Sequence, residues 1–225
     1  MIHYKQLPKR LSKSFKYWEI QELATHFKLT KRETIAPLEG WLTAVYPLAE
    51  TVEKRLEQLS GLALQKVDYW NEEELKMRFV APLMELVDFE GNAYTTFYDR
   101  PISAEVDGHT LNGVVDMVVA SGYQKPIKPF FFLHEYKPQK KLETDPQGQL
   151  LAAMLAAQAQ NQPEDLPLYG CYIIARHWYF VALSERDFAI SGAFDCTREN
   201  ELKDILYKLK YVKDQIDAYF ATQTP

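Results

Sequence analysis

Apolar and polar positions along the chain separate a helical N-terminal part from a part in which strands and helices alternate. Residues 11–28 and 48–59 carry apolar side chains at roughly helical spacing, and Gly61 is expected to end the second helix. Residues 30–33 read Thr-Lys-Arg-Glu, which has the form of a helix-starting capping box. The pattern therefore predicts a helical extension over residues 1–68.

A further helix is predicted to begin after Asn71, because Asn71 is a favourable N-cap and Glu74 can complete a capping box. The apolar stripe of this helix consists of Leu75, Phe79, Val80, Leu83, Leu86 and Val87. At about 100° per residue, the centre of the stripe lies close to the direction of Glu72. Lys76 lies on the same flank, which is unusual for a solvated lysine, and Pro82 is expected to kink the helix.

Five β-prone segments follow this helix. They are residues 94–106, 111–120, 130–137, 169–175 and 178–183. Asp107 and Gly108 supply a hairpin turn between the first two segments, and Pro138 ends the third. The pattern predicts strands at all five positions.

Two helices are predicted among and after these strands. Asp145 and Pro146 are a good N-cap and first helical position for a helix that runs to about Gln160. A long amphipathic helix is predicted over residues 198–220. Strand, helix, strand is typical of a parallel crossover, so we expect an α/β fold with a mixed central sheet of about five strands flanked by helices. Residues 69–225 would form this core.

The composition is that of an ordinary soluble globular chain. Its 225 residues are 47% hydrophobic and 25% charged, and no apolar run approaches the roughly 20 residues of a membrane span. The first thirty residues contain no signal-like apolar core, so a cytoplasmic location without membrane association is expected. Cys171 and Cys196 lack metal-binding or redox spacing and are interpreted as reduced structural thiols.

Charge is distributed unevenly along the chain. Residues 1–32 contain eight lysines or arginines against two glutamates, whereas the remainder has 18 basic and 29 acidic residues. The N-terminal segment is therefore at +6 and the rest at −11, which together give the net charge of −5. The basic segment can either contact a polyanion or present an ordinary solvated face. The overall negative charge argues against a strong free-standing DNA binder.

Charged side chains interrupt two of the most apolar predicted strands. Asp116 lies in the second strand, and Glu135 and Lys137 lie in the third. Because strand side chains alternate between faces, Glu135 and Lys137 are expected on the same face as Phe131 and Leu133. Charges are costly among such neighbours, which makes these three residues candidates for a functional site.

The tripeptide Glu-x-Lys carries little information alone, because it occurs three times, at residues 74–76, 135–137 and 201–203. The first and last lie on predicted helices, where such pairs are ordinary solvated charges. Only the middle one lies on an apolar strand, after a strand aspartate and between a helix glutamate and a capped helix.

This set of residues resembles the PD-(D/E)xK nuclease superfamily, and it is most similar to the nuclease region of type I restriction motor subunits. The likeness extends over about residues 70–185 and implies a restriction-endonuclease-like core. It implies that Asp116 and Glu135 are catalytic ligands of Mg²⁺, or of Mn²⁺, with Glu72 as an outer-shell or second-metal ligand. Val115 stands immediately before Asp116, where the simplest form of the pattern has proline.

The resemblance further implies catalytic roles for Lys137, which would orient the attacking water, and for Gln149 on the following helix. Phosphodiester hydrolysis requires neutralised phosphate charge and a hydroxide near neutral pH, which Mg²⁺ bound by carboxylate oxygens can assist. The expected function is Mg²⁺-dependent hydrolysis of DNA, with a protein partner or a homodimer also possible. The alternative is an inactive nuclease fold that binds nucleic acid or protein.

Simpler explanations exist for each candidate. Asp116, Glu135 and Lys137 can form a buried structural ion pair, Glu72 can serve the helix N-terminus, and Gln149 can be a polar residue of a first turn. His134 alternates onto the opposite face from the glutamate beside it, which disfavours a paired-histidine metal site. The chain has no GxSxG, P-loop, GxGxxG or HExxH motif.

Overall fold

The structure, a computed structural model, describes residues 11–137, 144–161 and 166–223. The N-terminal elements are β1 (Ser12–Ser14), a 3₁₀ turn (Phe15–Tyr17), α1 (Ile20–His26), β2 (Thr30–Lys31), α2 (Ala36–Thr43) and α3 (Glu50–Lys66). Then come α4 (Glu72–Leu75), a π-helical segment (Lys76–Val80), α5 (Ala81–Glu85), β3 (Thr95–Val106), β4 (His109–Ser121) and β5 (Ile127–Lys137). The remaining elements are α6 (Pro146–Gln160), β6 (Leu168–Ile174), β7 (His177–Ser184), β8 (Asp187–Ile190), β9 (Phe194–Asp195) and α7 (Glu199–Gln223).

The described strands form one mixed sheet in the order β1-β4-β5-β6-β7-β8-β2, with β3 also paired to β4 and β9 to β7. All five predicted strands are present, but the expected total of about five is wrong because the sheet has nine. The four additional strands are two to four residues long, too short to show a pattern in sequence. The β5–α6–β6 connection joins parallel strands, as predicted.

Helices cover both faces of the sheet and create two cores. The α7 core lies against α2, α3, α4, α5 and α7 and includes Trp41, Phe79, Phe132, Trp178 and Ile205. The α6 core lies against α1 and α6 and includes Trp18, Phe27, Val118, Leu151 and Phe188. The fold is therefore mixed α/β, with the sheet buried between two helical layers.

The N-terminal region differs from its prediction. Residues 11–28 were predicted to be helical, but the α-helix in this segment is limited to α1. The start of the segment forms β1, which pairs with β4. Residues 30–33 do not start a helix, since β2 pairs with β8. Gly61 lies within α3, which continues to Lys66. For β1 and β2, pairing with distant strands overrides the local signal, and residues 11–68 share both cores with the rest of the chain. The division at residue 68 stays a prediction.

The predicted caps around the later helices are confirmed. Asn71 and Glu74 form a capping box at the start of α4. Asp145 caps α6 by accepting from Gln147 N at 2.9 Å, and its second oxygen accepts from Ile20 N at 2.8 Å. One carboxylate thus ties the N-termini of α1 and α6 together, which fixes the position of the first turn of α6.

Pro82 lies just after the π-helical segment that joins α4 to α5, so the helix is irregular where the proline predicted a disturbance. Pro138, predicted to end β5, lies outside the described residues, as do residues 1–10 of the basic segment. Within the described ranges, no helix combines the length and the apolar character needed to cross a membrane.

Candidate active site

The candidate site lies where β4 and β5 stop pairing. Their ladder ends at Met117 and His134, while β5 continues to pair with β6 as far as Lys137. On the same side of β4, β1 pairs only with residues 110–112. Among the described residues, positions 113–116 of β4 therefore have no ladder partner on this side, and a gap opens beside Asp116.

Asp116 occupies the edge of this gap. Its Oδ2 accepts a hydrogen bond of 2.8 Å from the backbone N–H of Tyr136, in place of a carbonyl from β4. The hairpin is also irregular here, because Asp99 has a φ of 50° and lies between the cross-strand pairs Tyr98–Met117 and Arg100–Val115 without belonging to the β3–β4 register. Val115 belongs to the α6 core whereas Met117 belongs to the α7 core, so side-chain alternation is broken at Asp116.

Glu135, Lys137 and Gln149 meet on the α6 side of the sheet. Lys137 Nζ lies 2.6 Å from Glu135 Oε1, and Gln149 Nε2 donates to the same oxygen at 2.5 Å. Glu135 is only 3% exposed. The predicted shared face of Glu135, Lys137 and Leu133 agrees with these contacts, but the placement of Phe131 is wrong. Phe131 belongs to the α7 core because a register shift in the β4–β5 ladder reverses its direction.

Glu72 reaches the site through Lys76. Lys76 Nζ lies 2.8 Å from Glu72 Oε1 and 3.0 Å from Asp116 Oδ1, and its side chain is 17% exposed. The interpretation of residues 74–76 as ordinary solvated charges is therefore wrong for Lys76. Glu72 and Lys76 are one helical turn apart, so they lie on the same side of the helix. The position of Lys76 on the inward flank of the apolar stripe was the sequence signal for its contact with Asp116.

The buried carboxylate of Glu135 has altered acidity. Burial, together with the nearby Asp116 carboxylate, raises the pKa of Glu135 to about 8, and the Lys137 ammonium opposes this rise only in part. Burial alone lowers the pKa of Lys76, but its hydrogen bonds with Glu72 and Asp116 outweigh burial and raise it. The site is thus a cluster of carboxylates whose mutual repulsion is relieved by two ammonium groups.

Gln149 presents a buried acceptor that has no partner among the described residues. Its side chain is 8% exposed, and its Oε1 atom makes no hydrogen bond with any of them. A buried unsatisfied oxygen costs free energy, so a polar residue oriented in this way indicates a missing donor or cation. Carboxylate and amide oxygens are ligands that Mg²⁺ prefers, and Mg²⁺ commonly uses one or two protein carboxylates. The chemistry of Asp116, Glu135 and Gln149 therefore fits this ion.

The structure brings all five predicted site residues to one region, although not as a complete metal-ligand set. Within the described part of the chain, no group of three His, Cys, Asp or Glu side chains is arranged to hold a metal ion. Asp116 and Glu135 are neighbours, while Glu72 is joined to Asp116 only through Lys76. The catalytic and metal-binding roles of these residues stay predictions.

His134 lies on the other side of β5, as alternation predicts. It contacts Phe132, Tyr136 and Trp178, with ring centroids 5.4, 4.6 and 5.3 Å away. Burial lowers the pKa of His134 to about 3, and neither ring nitrogen has a hydrogen-bond partner in the described ranges. The histidine is part of the α7 side of the protein and not of the candidate site.

Comparison with models of known protein families gives no match, and no curated protein matches the chain either.

Proposed function

We propose that the protein is a Mg²⁺-dependent nuclease with a PD-(D/E)xK site in a restriction-endonuclease-like core, and that it hydrolyses phosphodiester bonds in DNA. The observation that carries this proposal is the meeting of Asp116, Glu135, Lys137 and Gln149 from three elements at the gap between β4 and β5. A buried carboxylate paired with a partly buried ammonium at an interrupted ladder is costly to fold. Such a cost is expected where function requires it.

Asp116 and Glu135 would hold the metal ion, with Mn²⁺ as a substitute for Mg²⁺. Bound there, the ion would neutralise phosphate charge and lower the pKa of a bound water. Glu135 is held by Lys137 and Gln149, and Asp116 is held by Tyr136 N–H and Lys76, so both carboxylates are fixed by their neighbours before any ligand arrives. Fixed ligands reduce the reorganisation needed for catalysis.

Lys137 is the proposed residue for orienting the attacking water. Its side chain is 16% exposed, so the ammonium reaches the edge of the site while remaining tied to Glu135. A lysine in this position can stabilise a hydroxide by electrostatic attraction and hydrogen bonding. Gln149 acts as a positioning residue, because its amide holds Glu135 and its free oxygen can accept a hydrogen bond from Lys137 or from water.

The proposed substrate is DNA, with contacts from the exposed basic residues of the N-terminal region. Lys16, Lys28 and Lys31 are exposed, and Tyr17 beside Lys16 is 61% exposed. Ammonium groups attract phosphates, and an exposed aromatic ring can stack on a base. The proposed location is the cytoplasm, where free thiols such as the buried Cys171 and Cys196 persist.

A second candidate function is a nuclease-fold protein that binds nucleic acid, a protein partner or another copy of itself without cleavage. One observation favours it, namely that Lys76 already neutralises the space between Glu72 and Asp116. In that case the charged cluster would be structural. Both candidates predict a folded protein, and they differ in whether a divalent cation binds.

The deciding experiment is calorimetric titration with Mg²⁺ and Mn²⁺, paired with a cleavage assay on linear and supercoiled DNA. The wild type is expected to bind Mn²⁺ and to cut DNA, and Asp116→Asn is expected to lose both properties. Asp99→Asn is the matched control, because this exposed aspartate lies on the neighbouring strand β3 and asparagine tolerates its positive φ. If neither ion binds, or if Asp116→Asn binds as well as wild type, the nuclease proposal fails and the binding-module hypothesis replaces it.

A further inference from the structure

The ammonium of Lys76 bridges two carboxylates that come from different parts of the fold. Glu72 belongs to the first turn of α4, and Asp116 belongs to β4, forty residues after Lys76. The two carboxylate oxygens lie 2.8 and 3.0 Å from Lys76 Nζ, so a single cation position is shared between them. Glu73 is also near, at 3.9 Å, but its side chain is 78% exposed.

Lys76 is held in this position by more than its charge. Its Nζ lies 5.3 Å from the centre of the Tyr136 ring, a cation–π contact, and Tyr136 N–H in turn donates to Asp116. Lys76 is also the first residue of the π-helical segment, where the helix changes its pitch. The bridge is therefore part of the framework of the site.

We propose that Lys76 is a built-in cation that occupies the Glu72–Asp116 position, so that the site takes one divalent ion, on the Glu135 side of Asp116. This inference rests on the proposed metal-dependent function and specifies how many divalent ions the site takes. Removing the ammonium should open a second divalent-cation position between Glu72 and Asp116.

The polar groups on the two sides of Asp116 differ in whether they have a hydrogen-bond or ion-pair partner. On the Glu72 side, Lys76 satisfies both carboxylates. On the Glu135 side, Gln149 is more than nine-tenths buried and its Oε1 has no hydrogen-bond partner within the part of the chain that the structure describes. A buried acceptor without a partner favours binding of a donor or cation, so the Glu135 side is the side expected to bind one. On the Glu72 side, the Lys76 ammonium already occupies the cation position.

A divalent ion could take the place of the ammonium if residue 76 lost its charge but kept a side chain of similar length. A Mg²⁺ ion bound between the two oxygens would require each to approach to about 2.0–2.1 Å. Glu72 can move because its side chain is 34% exposed and lies in the first turn of the helix. Methionine at position 76 keeps the apolar stem that packs beside Tyr136 but carries no charge.

The test is the number of Mn²⁺ ions bound, measured by calorimetry and by electron paramagnetic resonance of free Mn²⁺. Wild type is expected to bind one ion and Lys76→Met two. The double variant Glu72→Gln/Lys76→Met should return to one, because the second position loses a carboxylate. Arg78→Met is the matched control, since Arg78 pairs with Glu74 at 3.6 Å on the same helix and is expected to leave the count unchanged.

An equal count in wild type and Lys76→Met overturns the inference. If the proposed function is wrong, wild type binds no Mn²⁺ ion. The inference about Lys76 is then tested separately, by whether Lys76→Met binds one ion more than wild type. If Lys76→Met does not fold without metal, Lys76→Gln replaces it, with thermal unfolding in EDTA and in Mn²⁺ as the second measurement. A larger Mn²⁺-induced rise in Tm for Lys76→Gln than for wild type supports the second position, and an equal rise refutes it.

Discussion

The Asp116 carboxylate accepts the hydrogen bond that the backbone N–H of Tyr136 would otherwise give to a strand carbonyl, at a distance of 2.8 Å. A side chain thus completes the β4–β5 pairing where the backbone ladder has already ended at Met117 and His134. The same carboxylate binds Lys76 with its other oxygen. Asp116 is therefore both a structural bridge and the centre of the candidate site, so its loss affects stability as well as function.

The first prediction concerns Lys137. Lys137→Ala should reduce DNA cleavage by about 10²–10⁴-fold, the usual contribution of a positioned acid–base group. Binding of Mn²⁺ should persist, because Asp116 and Glu135 remain and Gln149 still donates to Glu135. Single-turnover cleavage and calorimetric titration of Mn²⁺ are the two measurements.

The chain provides a matched control in the Glu-x-Lys tripeptide of α7. Lys203→Ala removes a lysine from the same local sequence, but Lys203 pairs with Glu53 on the surface. It is expected to leave cleavage and Mn²⁺ binding unchanged. Wild-type cleavage by Lys137→Ala would remove Lys137 from the mechanism.

The second prediction concerns the effect of Glu135 ionisation on the pH dependence of the free energy of unfolding. Its folded-state pKa of about 8 exceeds the ordinary glutamate value of 4.5, so between these values the folded protein binds more protons than the unfolded chain. Stability contributed by this group is therefore fully present below pH 4.5 and is lost as the pH rises through 8. The slope from one such group is at most about 1.4 kcal/mol per pH unit.

Glu135→Gln removes this ionisation while keeping the shape of the side chain. The free energy of unfolding of the variant, relative to wild type, should increase between pH 5 and pH 8, as measured by urea unfolding in EDTA. Glu57→Gln, at an exposed position of α3, is the control. A constant difference between Glu135→Gln and wild type across this range would contradict the prediction.

The long strands and capped helices were predictable because their signals are local. The Asp107–Gly108 turn and the Asp145 cap each depend on a few neighbouring residues. The short strands β1, β2, β8 and β9 were not predictable, because they owe their structure to distant partners. Thr30 illustrates this: its capping-box pattern is local, but its N–H donates to the carbonyl of Arg186.

The site was predictable as a set of residues but not as a geometry. Glu72, Asp116, Glu135, Lys137 and Gln149 all lie in one region, yet the gap in the ladder at Asp116 has no sequence signal. The role of Lys76 was missed for a related reason. A lysine four residues after a glutamate usually forms a solvated pair, and only the tertiary approach of β4 turns it into a bridge.

The third prediction addresses the basic N-terminal region. Deleting residues 1–32 is unsuitable as a test because Phe15, Trp18, Leu23 and Phe27 are buried in the α6 core. The triple variant Lys16→Glu/Lys28→Glu/Lys31→Glu changes only exposed residues. It should weaken DNA binding and flatten the dependence of the binding constant on salt, because fewer counterions are released.

Fluorescence anisotropy over a series of salt concentrations measures both quantities. The control reverses three exposed basic residues of α3, in Lys54→Glu/Arg55→Glu/Lys66→Glu, and has the same change in net charge. Equal losses of affinity in the two triple variants would show that net charge alone is responsible. An unchanged affinity in the N-terminal variant would assign its basic excess to solvation.

The fourth prediction concerns His134, which is fully buried and whose two ring nitrogens have no hydrogen-bond partner among the residues that the structure describes. Its folded-state pKa of about 3 lies below the ordinary value of 6.5, so the unfolded chain binds the additional proton between these values. Stability is present above pH 6.5 and is lost as the pH falls through this window, by about 2 kcal/mol at pH 5.

His134→Phe should remove this loss, because phenylalanine keeps the ring contacts with Phe132, Tyr136 and Trp178 but cannot be protonated. It should also raise stability at pH 7 by about 1–3 kcal/mol, since it removes buried polar atoms that lack partners. Urea unfolding of both proteins at pH 7 and pH 5 gives the two differences. If His134→Phe loses as much stability as wild type between these pH values, another group causes the acid sensitivity and His134 is protonated no more readily in the unfolded chain than in the folded protein.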